Sequence, residues 1–170
     1  FLDSSKDLVG KIILANLGIS KANFEIKSDS FLLEKTDLNL PFRHLQDTNK
    51  GNFGHLYVIS GDLKGAAIIA ANAGFSIGAG LVSVISDEKI PNLDPFIMQT
   101  NSFAKAKVVV AGCGLGEKTL NLELLKDKIC VIDADLCYKK ETISLLEKNE
   151  NLVLTPHPKE FASLLNLAGF

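Results

Sequence analysis

VVVAGCGLG, residues 108–116, runs four small apolar residues straight into three glycines at alternate positions. A strand of that composition has no side suited to water, and strands buried on both faces belong to parallel sheets. The glycines let the chain turn sharply where the strand stops. The same pattern recurs on either side. Upstream, LYVIS (56–60) is followed by a Gly-Asp turn, a small-residue helix from Gly65 to about Gly78, and strand-like LVSVIS (81–86), which reads as a βαβ unit. Downstream, a helical pattern is expected from Gly116 through Lys126. Ile129 to Ile132 then leads into Asp133-Ala134-Asp135 and a helix from about Lys139 to Lys148. Leu152 to Leu154 leads into TPHPKE and a closing helix with Phe161, Leu164, Leu165 and Ala168 on one face. Strands alternating with helices predict an α/β fold, a mostly parallel sheet covered by helices on both faces.

Residues 1–55 lack this regularity. Lys11 to Ala15 (KIILA) reads as a short strand and LGIS as a turn, but Ser20 to Asn49 mixes charged, polar and isolated apolar residues without a period. That part reads as a leader segment and linker ahead of a domain beginning near Lys50. Both chain ends read as cut, with Phe-Leu at one and NLAGF at the other.

The 170 residues suffice for one domain with an appended fragment. An apolar fraction of 46% with 22% charged residues is that of a globular protein. A net charge of −2 gives no electrostatic case for nucleic acid or a membrane surface, and no run is long enough to span a bilayer. Cys113, Cys130 and Cys137 have no CxxC spacing and read as free thiols, in keeping with a reducing cytoplasm.

In sheets of this kind ligands lie beyond the carboxyl ends of the strands, and the unusual sequences fall there. After LYVIS comes Ser60-Gly61-Asp62; after VVVA, GCGLG; after ICVI, DAD; after LVL, TPHPKE. An ordinary strand-to-helix loop needs only one glycine or one capping residue. Each has two readings. Gly112, Gly114 and Gly116 serve either a tight turn with positive φ or the close approach of a ligand to bare N–H groups; Glu117 rules out the GxGxxG dinucleotide pattern. Asp133 and Asp135 are either cap and solvated carboxylate or ligand-side groups. The small residues Gly65-Ala66-Ala67 suit either close helix–sheet packing or an anion at the helix start. His44 and His55 read as surface or structural.

In TPHPKEF (155–161), Pro158 suits the first helical position and Glu160 the third, where its carboxylate reaches back to the cap residue. His157 is left over, being a poor capping type. At a helix amino terminus its neutral ring is expected to offer a ligand a hydrogen bond.

Taken together and in order, KGNFGH (50–55), GAAIIAA (65–71), GAGLVSV (78–84), GCGLG (112–116), DADL (133–136) and TPHPKEF resemble the NAD(P)H-hydrate dehydratases, members of the ribokinase-like superfamily once labelled putative carbohydrate kinases. The resemblance covers roughly residues 29–170. The opening GKIILANLGIS resembles the last strand of the epimerase domain fused ahead of many bacterial dehydratases. On that likeness residues 1–24 are an epimerase remnant, 25–49 a linker, and 50–170 the amino-terminal part of a dehydratase domain, incomplete at its carboxyl-terminal side.

The resemblance implies cofactor repair. NADH or NADPH that has taken up water on its ring is dehydrated from the S epimer with ADP in bacteria or ATP in eukaryotes, with Mg2+. The nucleotide phosphorylates the ring hydroxyl and elimination follows, chemistry governed by positioning. It implies substrate contacts from Ala66, Gly112, Gly114, Gly116 and His157, support from Asp133, Asp135 and Glu160, no protein metal ligand, and a homo-oligomer. The family's GTGD element, with the catalytic aspartate, is expected beyond Phe170. Two departures stand out: Leu136 follows DAD directly, and the segment from Gly61 to Gly65 is short. The competing readings are a ribokinase-like kinase of a sugar or vitamin precursor, and a non-catalytic nucleotide-binding module.

Overall fold

The computed structural model describes residues 6–11, 13, 15, 17–20, 31, 33–38, 40 and 42–170. The chain divides into two units, Phe1–Leu40 and Pro41–Phe170. In the first, α1 (Lys6–Val9) is a single turn, and a 3-10 turn spans Lys35–Asp37, where the Asp37 carboxylate accepts from the Glu34 N–H at 2.8 Å. Lys11, Ile13 and Ala15 carry no strand; the remainder of the strand expected at 11–15 lies outside the described residues.

The second unit contains β1 (His55–Ile59), α2 (Lys64–Ile77), β2 (Leu81–Ile85), β3 (Met98–Thr100), β4 (Val108–Ala111), β5 (Ile129–Ile132), α3 (Lys140–Lys148), β6 (Leu152–Leu154) and α4 (Pro158–Ala168). All six strands pair in parallel, in the order β3-β2-β1-β4-β5-β6. The apolar strands therefore form a parallel sheet throughout, where a mostly parallel one was expected. β3 went unanticipated because its three residues sit on an edge, largely exposed, and show no apolar alternation.

Alternation along each strand sends side chains to two cores. Val58, Val82 and Val84 meet Ala67 and Ala71 of α2, with Ile90 and Ile97 from the loop after β2. On the opposite side Tyr57, Ile59, Ile85, Val109, Ala111, Cys130 and Ile132 pack with Leu115, Leu122, Leu125, Leu136 and Leu145. The small residues of α2 serve the first contact: a Cβ on Gly74 would lie 2.4 Å from the Leu56 side chain. Beyond α2 the same sheet face is open among the described residues. An apolar groove of about 550 Å3 runs between Ala70, Ala73 and Ile77 of α2 and Val108, Val110 and Val131.

Two helical expectations need correction. The stretch after Gly116 forms no α-helix; turns lead to a 3-10 segment at Leu122–Leu125, because Leu115, Leu122 and Leu125 are each drawn separately into the core. On α4 only Leu164 of the expected apolar face is buried, while Phe161 is 53% exposed and Leu165 38% exposed.

Candidate functional site

Four loops meet at the carboxyl ends of β1, β4, β5 and β6. The loops after β1 and β4 are sewn together: the N–H groups of Asp62 and Leu63 donate to the carbonyls of Leu115 (3.2 Å) and Gly114 (3.1 Å), and the Asp62 carboxylate accepts from the Glu117 N–H at 2.8 Å. The loop after β4 is joined to the one after β5 by the Gly116 N–H, which donates to Asp135 Oδ2 at 2.9 Å. Asp133 extends the chain of contacts to β6. Its Oδ1 accepts from Thr155 Oγ1 at 2.9 Å, and its Oδ2 from the Cys113 thiol at 3.6 Å.

The backbone explains why these residue types stand here. Gly112 and Gly114 have φ of +107° and +62°. A Cβ at 112 would fall 1.9 Å from the Asp133 carbonyl oxygen, and one at 114 would fall 2.8 Å from the Ala66 Cβ. Side chains are barred because neighbouring loops fill the space, which accounts for the glycines of GCGLG as residues of a tight turn. Between the two aspartates, Ala134 holds a φ of +49°, a left-handed conformation that costs a non-glycine residue about 1–2 kcal/mol. The carboxylates on either side of it take different partners, Asp133 the Thr155 hydroxyl and the Cys113 thiol, Asp135 the Gly116 N–H.

His157 also gains a local role. It is the N-cap of α4: its Nδ1 accepts from the N–H groups of Lys159 (3.1 Å) and Glu160 (3.3 Å), while Glu160 Oε2 accepts from the His157 N–H at 2.9 Å. The capping geometry expected for Pro158 and Glu160 is present. The expectation that histidine would not serve as the cap is corrected by these bonds, because an imidazole nitrogen here replaces the usual hydroxyl or carboxylate.

All three cysteines are free. Burial first, then the charge and hydrogen bond of Asp133, push the Cys113 thiol up to about 11. Burial raises Cys130 to about 11, and burial with Glu160 and Asp133 does the same to Cys137. None of these thiols is poised as a nucleophile near neutral pH.

A family model described as NAD(P)H-hydrate dehydratase matches residues 56–170, more than half the chain and every strand end of the rim. The chain belongs to the NAD(P)H-hydrate dehydratase family. It is 41% identical, over 98% of its length, to the bifunctional NAD(P)H-hydrate repair enzyme of Helicobacter pylori, of which it spans 36%. It is 32% identical over 70% of its length to the ADP-dependent (S)-NAD(P)H-hydrate dehydratase of Streptococcus pneumoniae, of which it spans 49%. A solved structure, of a hypothetical protein from Streptococcus mutans, superposes with a TM-score of 0.60 at 26% identity, covering 73% of this chain and 53% of that one.

In this dehydratase-family chain, then, the rim brings together Ala66, Gly112, Gly114, Gly116, Asp133 and Asp135, with Thr155 leading to His157 and Glu160. Sequence reasoning missed Cys113 and Thr155 as partners of Asp133, and Lys118, whose Nζ donates to the Ser60 carbonyl (3.3 Å) and Asp87 (3.4 Å). Their only signal was position, Cys113 and Thr155 just beyond the carboxyl ends of β4 and β6 and Lys118 further along the loop after β4. Lys118 also borders an open charged hollow of about 400 Å3 with Asp62, Lys64, Asp87, Glu88 and Glu117. Its two lysines are already matched, since Lys64 pairs with Glu88 at 3.2 Å and Lys118 with Asp87. His55 is structural, its Nε2 2.8 Å from Ser83 Oγ across the β1–β2 pair.

Proposed function

We propose that this chain forms the hydrate-binding side of an ADP-dependent (S)-NAD(P)H-hydrate dehydratase, which returns hydrated NADH or NADPH to the reduced cofactor. The observation that carries this reading is the continuous rim. In a chain of this family, four strand ends bearing the candidate residues are hydrogen-bonded into one preorganised surface, as chemistry governed by positioning requires.

Within the proposal, Ala66, the Gly112–Gly116 turn and His157 contact the hydrated dinucleotide. Asp133, Asp135 and Glu160 hold those elements in place. No residue of this chain is assigned as the catalytic base, which the reading places on an aspartate beyond Phe170. Among the described residues no group of three or more His, Cys, Asp or Glu side chains could hold a metal ion, so Mg2+ has no holding set there and no step is assigned to it. ADP, named for the Streptococcus pneumoniae relative, is the proposed phosphoryl donor. The bifunctional relative aligns over 98% of this chain and the single-activity relative over 70%, which supports reading residues 1–24 as the tail of a preceding epimerase domain and 25–49 as a linker. No described helix is long and apolar enough to cross a membrane; a cytoplasmic homo-oligomer completes the proposal.

The test is conversion of (S)-NADHX by ADP and Mg2+, followed as appearance of NADH, for the 170-residue chain beside one carrying the whole family domain. Turnover is expected from the longer chain and not from the shorter. Failure of both to turn over the hydrate overturns the functional reading. Equal turnover by the two overturns the division of labour.

A further inference from the structure

Tyr57, Ser83 and Met98 are partners in register across β1, β2 and β3 and share one face of the sheet, the one opposite α2. In parallel sheets a crossover helix usually covers such positions. Here residues 101–107, between β3 and β4, form turns and no helix, and a hollow of about 270 Å3 lies between them and the strands. Tyr57 is 4% exposed, its ring 4.1 Å from that of His55. Its hydroxyl has no hydrogen-bond partner among the described residues, and no described polar side-chain atom is fully buried without one. The hydroxyl therefore reaches open space, and the hollow is the space that Tyr57 lines. A buried tyrosine hydroxyl ordinarily has a partner.

The rest of the lining is rich in donors. Thr100 Oγ1 accepts from the Ser102 N–H at 3.1 Å and Ser102 Oγ from the Ala104 N–H at 3.2 Å, which leaves both O–H groups free to donate. Lys105 adds an exposed ammonium without an ion-pair partner among the described residues. Ser83 Oγ is already held at 2.8 Å by His55 Nε2. No carboxylate lines the hollow, and Met98 and Ala104 give it an apolar wall. We propose that this hollow binds a small organic carboxylate, which accepts from the Tyr57 hydroxyl and pairs with Lys105 while a short apolar body lies against Met98 and Ala104. Converging donors with no facing carboxylate select an anion. One lysine balances a single negative charge, so a carboxylate suits the hollow better than a phosphate monoester, which carries about −1.5 to −2 near pH 7. The hollow shares no residue with the rim and does not rest on the function proposed for it.

Met98 is the one methionine of the chain, so a 13C-methyl methionine label reports on the hollow with a single signal. Titration of the 170-residue chain with butyrate at constant ionic strength is expected to move that signal saturably. Tyr57→Phe, which removes only the hydroxyl, and Lys105→Gln are each expected to weaken binding about tenfold. Butyramide, of the same shape without the charge, is expected to bind no better to the unaltered chain than butyrate does to those variants. No saturable shift with butyrate or with inorganic phosphate overturns the site. Equal affinity for butyrate and butyramide overturns the anion, and tighter binding of phosphate overturns the choice of a carboxylate. Unchanged affinity in Tyr57→Phe overturns the role given to the hydroxyl. Should that variant fail to fold, unchanged affinity in Lys105→Gln, at an exposed position, overturns the proposal.

Discussion

The carboxyl-terminal rim and the open half of the sheet face beside α2 share β4, β5 and β6 and could hardly be more differently filled. At the rim the loops approach so closely that a single methyl group at position 112 would meet backbone at 1.9 Å. On the α2 side of β4–β6, Val153 is 57% exposed and Ile129 55% exposed, although parallel sheets are ordinarily covered on both faces. On the reverse side of the same strands Val109 and Ile132 are fully buried. Apolar character along a strand is therefore the same where a neighbour covers it and where none of the described residues does. What distinguishes the rim is glycine and short polar side chains at strand ends, and it is the rim that the candidate site occupies.

Substituting Gly112 gives the largest expected effect. Gly112→Ala combines a clash with the Asp133 carbonyl and a φ of +107°, and is expected to cost roughly 3–5 kcal/mol, enough to leave little folded protein. Urea unfolding followed by circular dichroism checks it, and near wild-type stability would mean that the rim gives way more readily than its packing implies. Next come the two sides of the sheet. Ile132→Ala, on the covered side, is expected to lose about 2–5 kcal/mol, whereas Val153→Lys, on the open side, is expected to stay within about 0.5 kcal/mol. Comparable losses from both would show that the α2-side face of β6 is covered in solution, for example by a second copy of the chain.

These same contrasts explain what could be read from the chain alone. β1, β2 and β4 to β6 were legible because β-branched apolar runs between turn residues have few alternatives. The 3-10 segment Leu122–Leu125 was not, because leucines at such spacing suit an α-helix until tertiary contacts pull them separately into the core. The glycines of GCGLG announced a special turn, yet whether their missing side chains make room for a ligand or for protein depends on Asp133 and Ala66, which lie far from them in sequence. The capping role of His157 was missed for a related reason. Propensity ranks histidine low as a cap, and only the bonds from the Lys159 and Glu160 N–H groups to Nδ1 show how the ring serves as one.

Asp133 gives a smaller and purely chemical probe of the rim. The Cys113 thiol is half-buried, and its elevation to about 11 comes first from burial and then from the charge and hydrogen bond of Asp133. Because the folded-state value lies above that of the unfolded chain, any stability this contributes is fully present below about pH 9 and is lost as the pH rises through about 11. Asp133→Asn removes the negative charge while leaving the burial. Alkylation of Cys113 by iodoacetamide at about pH 8 is expected to rise several-fold, since reaction follows the thiolate fraction. Mass mapping separates it from Cys130 and Cys137, and an unchanged rate would mean that Asp133 does not face the thiol in solution.

The smallest effect is expected at the opposite end of β1. Burial lowers the pKa of His55 from its ordinary value, and its ring lies against Tyr57 with Nε2 on Ser83. A histidine whose folded-state value is depressed binds its proton less readily in the native than in the unfolded chain. Its neutral form therefore contributes stability that is present above the unfolded value of about 6.5 and is lost as the pH falls through that value toward the folded one. The urea midpoint is expected to drop between about pH 7.5 and about pH 5.5, and His55→Gln, which cannot take up a proton, should make that drop shallower. An equal slope in wild type and His55→Gln would place the acid sensitivity elsewhere, and would mean that the amino-terminal end of the sheet admits solvent more freely than the rim at its other end.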